Sequence, residues 1–222
     1  MKILLFGASG MVGGGVLRVC LNDPNVDSVL SVGGVTFKMK HQKLHELVVP
    51  DLFDLNHVQS EMAGFDACFY SIGVSSVGMS EETYRQLTFD LTIRIAGMVG
   101  ELNPNVVFFY VSGVGSDASG KSRWMWARVR GETENRLIGM TFPAYIFRPG
   151  YIQPWKGVVS KTKSTRIMYK VLGPIFPVLK LLFPNQVTTV ERIGLAMIRV
   201  VKTGHPKHLL KVREINALAG AS

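Results

Sequence analysis

The chain has 222 residues, of which 47% are hydrophobic and 18% are charged, and its formal net charge is +9. This length suits one α/β domain with a sizeable core, and the composition excludes an intrinsically disordered protein. Residues 1–111 hold 7 Lys and Arg against 11 Asp and Glu, whereas residues 112–222 hold 18 against 5. The second half therefore suits an anionic ligand, an acidic partner or a membrane surface, and an ordinary solvated basic surface is the alternative.

The first residues of the chain carry its clearest functional pattern. Residues 2–6 form a short apolar run typical of a buried parallel strand. Residues 7–13, Gly-Ala-Ser-Gly-Met-Val-Gly, follow it and lead into apolar residues with helical spacing. This order predicts a dinucleotide-binding unit, in which Gly7 permits the tight turn, Gly10 lets the backbone approach a pyrophosphate, and Gly13 lets helix and strand pack closely. A turn with a purely structural role is the alternative.

Downstream of this unit, short apolar strands alternate with helices. The predicted strands cover residues 26–32, 43–49, 65–71, 106–111 and 143–147, and the predicted helices cover residues 55–63, 81–102 and 124–138. This alternation is typical of a doubly wound parallel α/β sheet. Because ligands of such sheets bind beyond the carboxyl ends of the strands, we expect one crevice to be shared by the loops that begin at residues 7, 33, 51, 71, 112 and 149.

The last third of the sequence has a different character. Residues 165–183 are apolar but interrupted by lysines, prolines and a Gly-Pro pair, so they are too broken to span a bilayer. We expect a helical lid or a homodimer surface here, and weak contact with a membrane surface is the alternative because Lys and Arg lie alongside. Thr188 with Glu191 predicts a capping box for a following helix, and residues 207–212 predict a final strand.

These patterns predict the domain organisation and the compartment. We expect one dinucleotide-binding domain, residues 1–152, and a small helical C-terminal extension, residues 153–222, that packs on it as a substrate or lid region. Cys20 and Cys68 fall in a predicted helix and a predicted strand, so we expect core thiols and a cytoplasmic protein, with no secretory signal. No histidine has a partner at metal-ligand spacing, which predicts no metal site. Scattered Lys and Arg without a recognised motif predict no nucleic-acid binding.

Motifs at successive strand ends together resemble the short-chain dehydrogenase/reductase superfamily. They are residues 7–13, Asp51, the glycine turn after the fourth strand, Ser112-Gly113 and Arg148-Pro149-Gly150. Residues 125–134, Met-Trp-Ala-Arg-Val-Arg-Gly-Glu-Thr-Glu, are similar to the catalytic-helix segment of its atypical branch, the NAD(P)-binding epimerase/dehydratase-like and NmrA-like proteins. The resemblance covers residues 1–152 well and the remainder loosely, and it implies a single-domain Rossmann fold.

The resemblance also implies a path for the dinucleotide along the crevice. The pyrophosphate would be lined by residues of the first turn, Gly7, Ser9, Gly10, Met11 and Val12. The adenine would be flanked by Asp51 and Leu52, and its ribose side would contact Ser71, Ile72 and Gly73. The nicotinamide would be bordered by Pro149, Gly150, Tyr151 and Ile152. For Asp51 a simple strand end is the alternative, and for Pro149-Gly150 an ordinary turn is the alternative.

The choice between NAD and NADP depends on the residues after the second strand. An acidic side chain there would bind the ribose diol and repel a 2′-phosphate. The sequence has Ser31-Val32-Gly33-Gly34 at this place, and Lys38 and Lys40 follow. NADP is therefore favoured, NAD is the alternative, and each lysine is otherwise an ordinary loop residue.

The catalytic helix departs from the pattern of the superfamily, which uses a serine with a Tyr-x-x-x-Lys pair. Ser112 aligns with the serine, but Trp126 stands at the tyrosine position and Arg130 at the lysine position. An indole N–H only donates, and an arginine stays charged, so the proton relay is absent. Arg130 keeps the ability to hold ribose hydroxyls, and pairing with Glu134 is its alternative role.

Two other side chains near the crevice are candidates for proton delivery, Tyr151 and Ser116. A free tyrosine has a pKa near 10 and needs help to act near neutral pH. Three functions follow: an NADP-dependent oxidoreductase acting on an unknown small molecule, a catalytically silent NADP-binding sensor that acts through a partner, and a membrane- or complex-associated factor that uses the basic C-terminal third.

Overall fold

The computed structural model describes residues 1–36, 39–155, 182–183 and 185–220. Lys38 and most of the predicted lid, residues 165–183, lie outside these ranges.

Within the described residues, parallel strands form a central seven-stranded sheet with the order β3-β2-β1-β4-β5-β6-β9. The strands are β1 (Lys2–Phe6), β2 (Ser28–Gly33), β3 (Leu44–Val48), β4 (Ala67–Tyr70), β5 (Val107–Val111), β6 (Ala144–Arg148) and β9 (Leu209–Lys211). A separate parallel pair consists of β7 (Tyr151–Gln153) and β8 (Val187–Thr189). The predicted doubly wound parallel sheet is confirmed, and it places the loops after β1 to β6 at one edge.

Helices cover both faces of the sheet. They are α1 (Met11–Asn22), a 3-10 helix (Asn56–Met62), α2 (Glu81–Arg85), α3 (Leu91–Leu102), α4 (Met125–Ile138), α5 (Val190–Thr203) and α6 (Val212–Gly220). Apolar residues of α1, α5 and α6 pack on one face, and those of the 3-10 helix, α3 and α4 pack on the other. Strands with helices on both sides are apolar throughout, which explains why the central strands are continuous hydrophobic runs.

The segment predicted as one long helix, residues 81–102, contains a local change of winding. Ser80 caps its start by accepting a hydrogen bond from the Thr83 N–H at 3.2 Å. A π-helical turn, Gln86–Asp90, then separates α2 from α3. Tyr84 before this turn, Thr88 within it and Leu91 after it are all buried, so the segment keeps one side against the core.

Residues near the C-terminus add to the same sheet. β9 pairs with β6, which confirms the predicted final strand, and α6 follows it as a further helix that the sequence analysis had not singled out. The predicted cap of α5 is one residue off: the Thr189 hydroxyl, not Thr188, accepts the Arg192 N–H at 3.1 Å. The Thr188 hydroxyl instead donates to the side-chain oxygen of Asn216 at 2.7 Å, because Thr188 lies in β8.

The two cysteines are buried and free, as predicted for core thiols. Burial raises the pKa of both thiols, and the nearby Asp23 carboxylate adds to this at Cys20. Both thiols therefore stay protonated near neutral pH. None of the helices in the described ranges combines the length and the apolar character needed to cross a membrane.

Candidate functional site

The turn after β1 forms a cradle with an open outer side. Gly7 has a φ of +85°, and its carbonyl accepts the Gly10 N–H at 2.9 Å. A Cβ at Gly13 would lie 2.2 Å from the Gly7 carbonyl oxygen, whereas a Cβ at Gly10 would meet only that oxygen, at 3.2 Å. Gly13 thus lets α1 approach the strand, and the outer side of Gly10 leaves room for a ligand to approach the backbone.

The N-terminus of α1 faces this cradle, and no side chain of the helix caps its N–H groups or offsets the positive end of its dipole. Gly10 is the N-cap, so no side chain satisfies the first N–H groups, and the first turn of the helix holds no acidic residue. Free N–H groups and the positive end of the helix dipole favour an anion. This arrangement fits a pyrophosphate, so the predicted residues of the first turn are suited to their predicted ligand.

The loop after β4 closes one side of the cradle. The Ser71 N–H and hydroxyl both donate to the Phe6 carbonyl, at 3.0 and 2.9 Å. A Cβ at Gly7 would lie within 2.8 Å of Ser71 and Ile72 backbone atoms. The structure therefore brings Ser71 and Ile72 against the glycine turn as predicted, with Gly73 next to them and exposed.

Asp51 and Leu52 lie in the loop after β3. The Asp51 carboxylate accepts the Phe53 N–H at 2.8 Å, which makes a local turn. Asp51 is exposed and Leu52 is half-buried. Both residues follow the carboxyl end of β3, at the same edge of the parallel sheet as the glycine turn. The order of the strands is what places them near the cradle.

Ser112, at the end of β5, belongs to a buried polar cluster with Glu134 of α4 and Arg148 of β6. Ser112 donates its hydroxyl hydrogen to Glu134, and the Arg148 Nε lies 3.0 Å from both carboxylate oxygens. A second guanidinium nitrogen of Arg148 pairs with the same carboxylate. Glu134 is fully buried and Ser112 is 6% exposed. Because a hydroxyl has one hydrogen, Ser112 can only accept from other groups while Glu134 is ionised.

Arg130 points toward the Ser112–Gly113 loop rather than toward Glu134. Its Nε donates to the Tyr84 hydroxyl at 2.9 Å, and a Cβ at Gly113 would lie 2.7 Å from its Nη1. The alternative pairing of Arg130 with Glu134 is not observed, because the Glu134 carboxylate is held by Arg148. The side chain at the lysine position therefore reaches the crevice, anchored by a buried tyrosine.

Trp126, at the tyrosine position, lies one helical turn before Arg130. The edge of its ring would meet a Cβ at Gly115 at 2.9 Å, so the indole covers the loop after β5. Ser116, in the same loop, donates to the Gly113 carbonyl at 2.9 Å and lies 3.0 Å from the Ser112 hydroxyl. Neither position carries a group that exchanges a proton readily near neutral pH.

Tyr151 begins β7, directly after the Pro149-Gly150 turn. Its backbone N–H donates to the Gln186 carbonyl at 2.9 Å, and its hydroxyl donates to the Gln153 side chain at 3.1 Å. Burial raises the pKa of Tyr151, so its hydroxyl is a weaker proton donor near neutral pH.

A cavity of about 840 Å³ lies beside Gly150 and Tyr151. Its walls are residues from the loops after β5 and β6 and from the ends of β8 and β9, namely Val114, Gly115, Arg148, Gly150, Tyr151, Phe183, Asn185, Gln186, Val187, Lys211 and Val212. Its volume is in the usual range for small-molecule sites. The cavity extends the crevice on the side where the resemblance places the nicotinamide.

Several residues of the site were not predicted from the sequence. Glu134, Arg148 and Tyr84 hold the two central side chains, Ser112 and Arg130, in place. The Arg-Pro-Gly motif marked Arg148, but nothing in the spacing indicated which acid it pairs with. Tyr84 lies 46 positions before Arg130, so only the tertiary structure reveals their contact. Within the described residues, no three His, Cys, Asp or Glu side chains form a metal-binding group.

The comparisons with known proteins agree with this architecture. No family model matches the chain. The chain is 25% identical over 155 residues to "Protein FMP52, mitochondrial" of Candida albicans, a match that covers 68% of this chain and 66% of that protein. The chain thus spans just under two thirds of the length of this curated relative.

Solved structures share the fold at low sequence identity. A short chain dehydrogenase family protein from Francisella tularensis has a TM-score of 0.67 at 12% identity, and 91% of each chain is covered. The Bordetella bronchiseptica enzyme WbmF, in complex with NAD+, has a TM-score of 0.67 at 14% identity, with 98% of this chain and 76% of that chain covered. A putative epimerase from Bacteroides thetaiotaomicron has a TM-score of 0.62 at 19% identity, with 93% and 92% covered. The chain therefore shares the α/β Rossmann-like fold of these structures, with a parallel seven-stranded sheet at its centre.

Proposed function

We propose that this chain binds a nicotinamide dinucleotide in the crevice, NADP in preference to NAD, and acts as an oxidoreductase without a Tyr–Lys proton relay. The observation that carries the proposal is the cradle at Gly7, Gly10 and Gly13, which is open on its outer side below an uncapped helix N-terminus. The NAD+ complex of the similar Bordetella bronchiseptica enzyme supports the same ligand class. The absence of an acidic residue in the stretch Ser31 to Gly34 supports NADP.

Different residues of the crevice would contact different parts of the dinucleotide. The first turn would hold the pyrophosphate, and the loop at Ser71 would hold the adenosine side. Arg130 would donate to ribose hydroxyls, because its Nε is fixed by Tyr84 while its Nη1 lies beside Gly113. When bound, the nicotinamide would supply or accept a hydride.

The proton chemistry of this proposal differs from that of the superfamily pattern. The indole N–H of Trp126 does not act as an acid or base near neutral pH, Arg130 stays charged, and Ser112 directs its hydrogen to Glu134. These three observations favour an acceptor that takes its proton from water. The same observations favour a second candidate function, a silent NADP-binding sensor, if no acceptor is reduced.

Turnover separates the two candidates. Purified protein is mixed with NADPH and, in turn, with flavins, quinones and aldehydes, and NADPH oxidation is followed by absorbance. Oxidation that depends on one acceptor class and saturates with it is the result expected for the oxidoreductase. Tight NADPH binding without oxidation across this panel would favour the sensor and contradict the oxidoreductase.

Restoring the missing pair gives a second arm of this experiment. The double variant Trp126→Tyr, Arg130→Lys would recreate the Tyr-x-x-x-Lys group, and we expect it to gain reduction of aldehydes from the same cofactor site. Trp124→Tyr is the matched control because Trp124 is 55% exposed and lies just before α4. Equal activity in both variants would contradict the assignment of positions 126 and 130.

We propose the cytoplasm as the compartment, because the two buried thiols suit a reducing environment. The name of the Candida albicans relative contains "mitochondrial", so cell fractionation of the full chain is the direct test. Recovery in the mitochondrial fraction would contradict the cytoplasmic assignment.

A further inference from the structure

The cavity beside Tyr151 has an uneven lining that indicates the chemistry of what enters it. One part of its wall is apolar and includes Val114, Val187 and Val212. Lys211, at the end of β9, lies on the same wall as Val212 and is exposed. The described lining thus places one ammonium group next to a hydrophobic surface.

The charge of this lining has one sign. Arg148 and Lys211 are its ionisable cations, and the described lining contains no Asp or Glu. The charge of Arg148 is balanced from behind by Glu134, which is buried outside the cavity. Among the described lining residues, the excess positive charge that a ligand would meet is therefore that of Lys211.

The acid nearest in sequence to Lys211 is occupied by other groups. One Glu214 carboxylate oxygen pairs with Lys207 Nζ at 3.1 Å, and the other accepts the backbone N–H of Lys211 at 3.2 Å. Among the described residues, the Lys211 ammonium group itself has no ion-pair partner within 4.0 Å. As far as the described part of the chain goes, the ammonium group is available to an anionic ligand.

We propose that this cavity binds a small amphiphilic anion, with an apolar body against Val114, Val187 and Val212 and a carboxylate at Lys211. This inference rests on the proposed function in one respect: the ligand would be the substrate that lies next to the nicotinamide side of the crevice. A neutral aldehyde or quinone of the same length would use the apolar wall but would gain nothing from the ammonium group.

Calorimetric titration with two probes of equal chain length tests the proposal. Sodium decanoate carries the carboxylate, and decanol replaces it with a neutral hydroxyl. We expect decanoate to bind the wild-type chain more tightly than decanol. The Lys211→Met variant, which keeps an apolar stem of similar length, should weaken decanoate binding by about fivefold and leave decanol unchanged.

Lys202→Met is the matched control, because Lys202 has the same charge, lies in the last turn of α5, bonds the neutral side chain of Asn25 and is not part of the cavity lining. It should leave the affinity for decanoate unchanged. Equal binding of decanoate and decanol by the wild-type chain, or an equal loss of decanoate binding in both lysine variants, would overturn the proposal. A membrane-surface role of the basic region would give this second result, since a diffuse charge does not distinguish the two lysines.

A separate NADPH titration keeps this test independent of the proposed function. Lys211-dependent decanoate binding together with an absence of NADPH binding would leave the anion site intact and contradict the dinucleotide site. NADPH binding without a preference for decanoate would support the dinucleotide site and contradict the anion site. The thermal unfolding of each variant is measured first, so that a loss of binding is read only from a folded chain.

Discussion

Two arginines near the end of β5 differ in whether an acidic side chain balances their positive charge. Arg148 is bound by a buried carboxylate, so its charge is neutralised inside the protein. Arg130 is bound by a neutral tyrosine hydroxyl, so its positive charge remains available at the crevice. The first contact fixes the fold around Ser112, and the second presents a cation to a ligand.

We expect the loss of the buried pair to destabilise the fold strongly. Glu134→Gln leaves the Arg148 guanidinium, which is 16% exposed, without its carboxylate, and removing one partner of a buried pair costs about 3–5 kcal/mol. Glu132→Gln on the same helix breaks an exposed pair with Arg85, which costs about 0–1 kcal/mol. Urea unfolding of both variants measures the difference, and equal free energies of unfolding would contradict a structural role for Glu134.

We expect Arg130 and Tyr84 to act together on dinucleotide affinity. Arg130→Ala should weaken NADPH binding by at least about tenfold, because one charged hydrogen bond is lost. Tyr84→Phe should weaken it less, by about twofold to threefold, because the guanidinium stays but loses its anchor. The measurement is a fluorescence titration of both single variants and the double variant.

Coupling between these two substitutions is the decisive result. If Tyr84 acts through Arg130, the double variant should bind NADPH as weakly as Arg130→Ala alone. Arg128→Ala is the control. Arg128 lies on the same helix as Arg130, but its side chain pairs at the surface with Glu81 of α2. An unchanged affinity in Arg130→Ala would show that Arg130 does not hold the ribose, and additive losses would show that Tyr84 does not act through Arg130.

At the scale of elements, α1 is held by a close contact with α5. A Cβ at Gly15 would lie 2.1 Å from Val190 Cγ1, and a Cβ at Gly194 would lie 2.9 Å from the Cβ of Val19. Glycines on both helices let their backbones approach each other. The C-terminal part of the chain thus supports the helix whose N-terminus faces the cradle.

We expect Gly15→Ala to destabilise the protein by about 1–3 kcal/mol, because the added methyl overfills the contact with Val190. Gly97→Ala in α3 is the matched control, since a Cβ there meets nothing within 4 Å. Alanine should stabilise that helix by about 1 kcal/mol. Chemical denaturation reports both changes, and a stabilising Gly15→Ala would contradict the close packing of α1 against α5.

The strands and main helices could be predicted from sequence because each has a local signal. β1, β4 and β5 are apolar runs, and the turn at residues 7–13 has its own glycine spacing. The π-helical turn, Gln86–Asp90, has no such signal, because it depends on how α2 and α3 pack against their neighbours. The pairing of β7 with β8 joins segments far apart in the chain, which local patterns do not encode.

The same distinction applies to the site. The cradle was predictable because its parts are consecutive and its chemistry depends on glycine geometry. Tyr84 and Glu134 were not, since each acts through a partner distant in sequence. The position of Lys211 in the cavity lining could not be predicted either, because it results from the pairing of β9 with β6.

At the scale of the whole molecule, the two halves have complementary tasks. The first half supplies the glycine turn and the loops that we propose for the dinucleotide, and it is acidic overall. The second half supplies Arg130, Arg148 and Lys211 to the same edge of the sheet. The positive groups of the crevice thus come from the basic half, which agrees with the anionic character of both proposed ligands.

The central claim is that the crevice binds a nicotinamide dinucleotide, and a direct NADPH titration of three chains tests it most directly. Wild type should bind NADPH saturably and more tightly than NADH. Gly10→Ala should weaken NADPH binding by about tenfold, because its methyl group occupies the approach to the pyrophosphate, while its contact of 3.2 Å with the Gly7 carbonyl lets the chain fold. Gly97→Ala should bind like wild type. Folded wild-type protein that binds neither nucleotide, or an unchanged affinity in Gly10→Ala, would contradict the account.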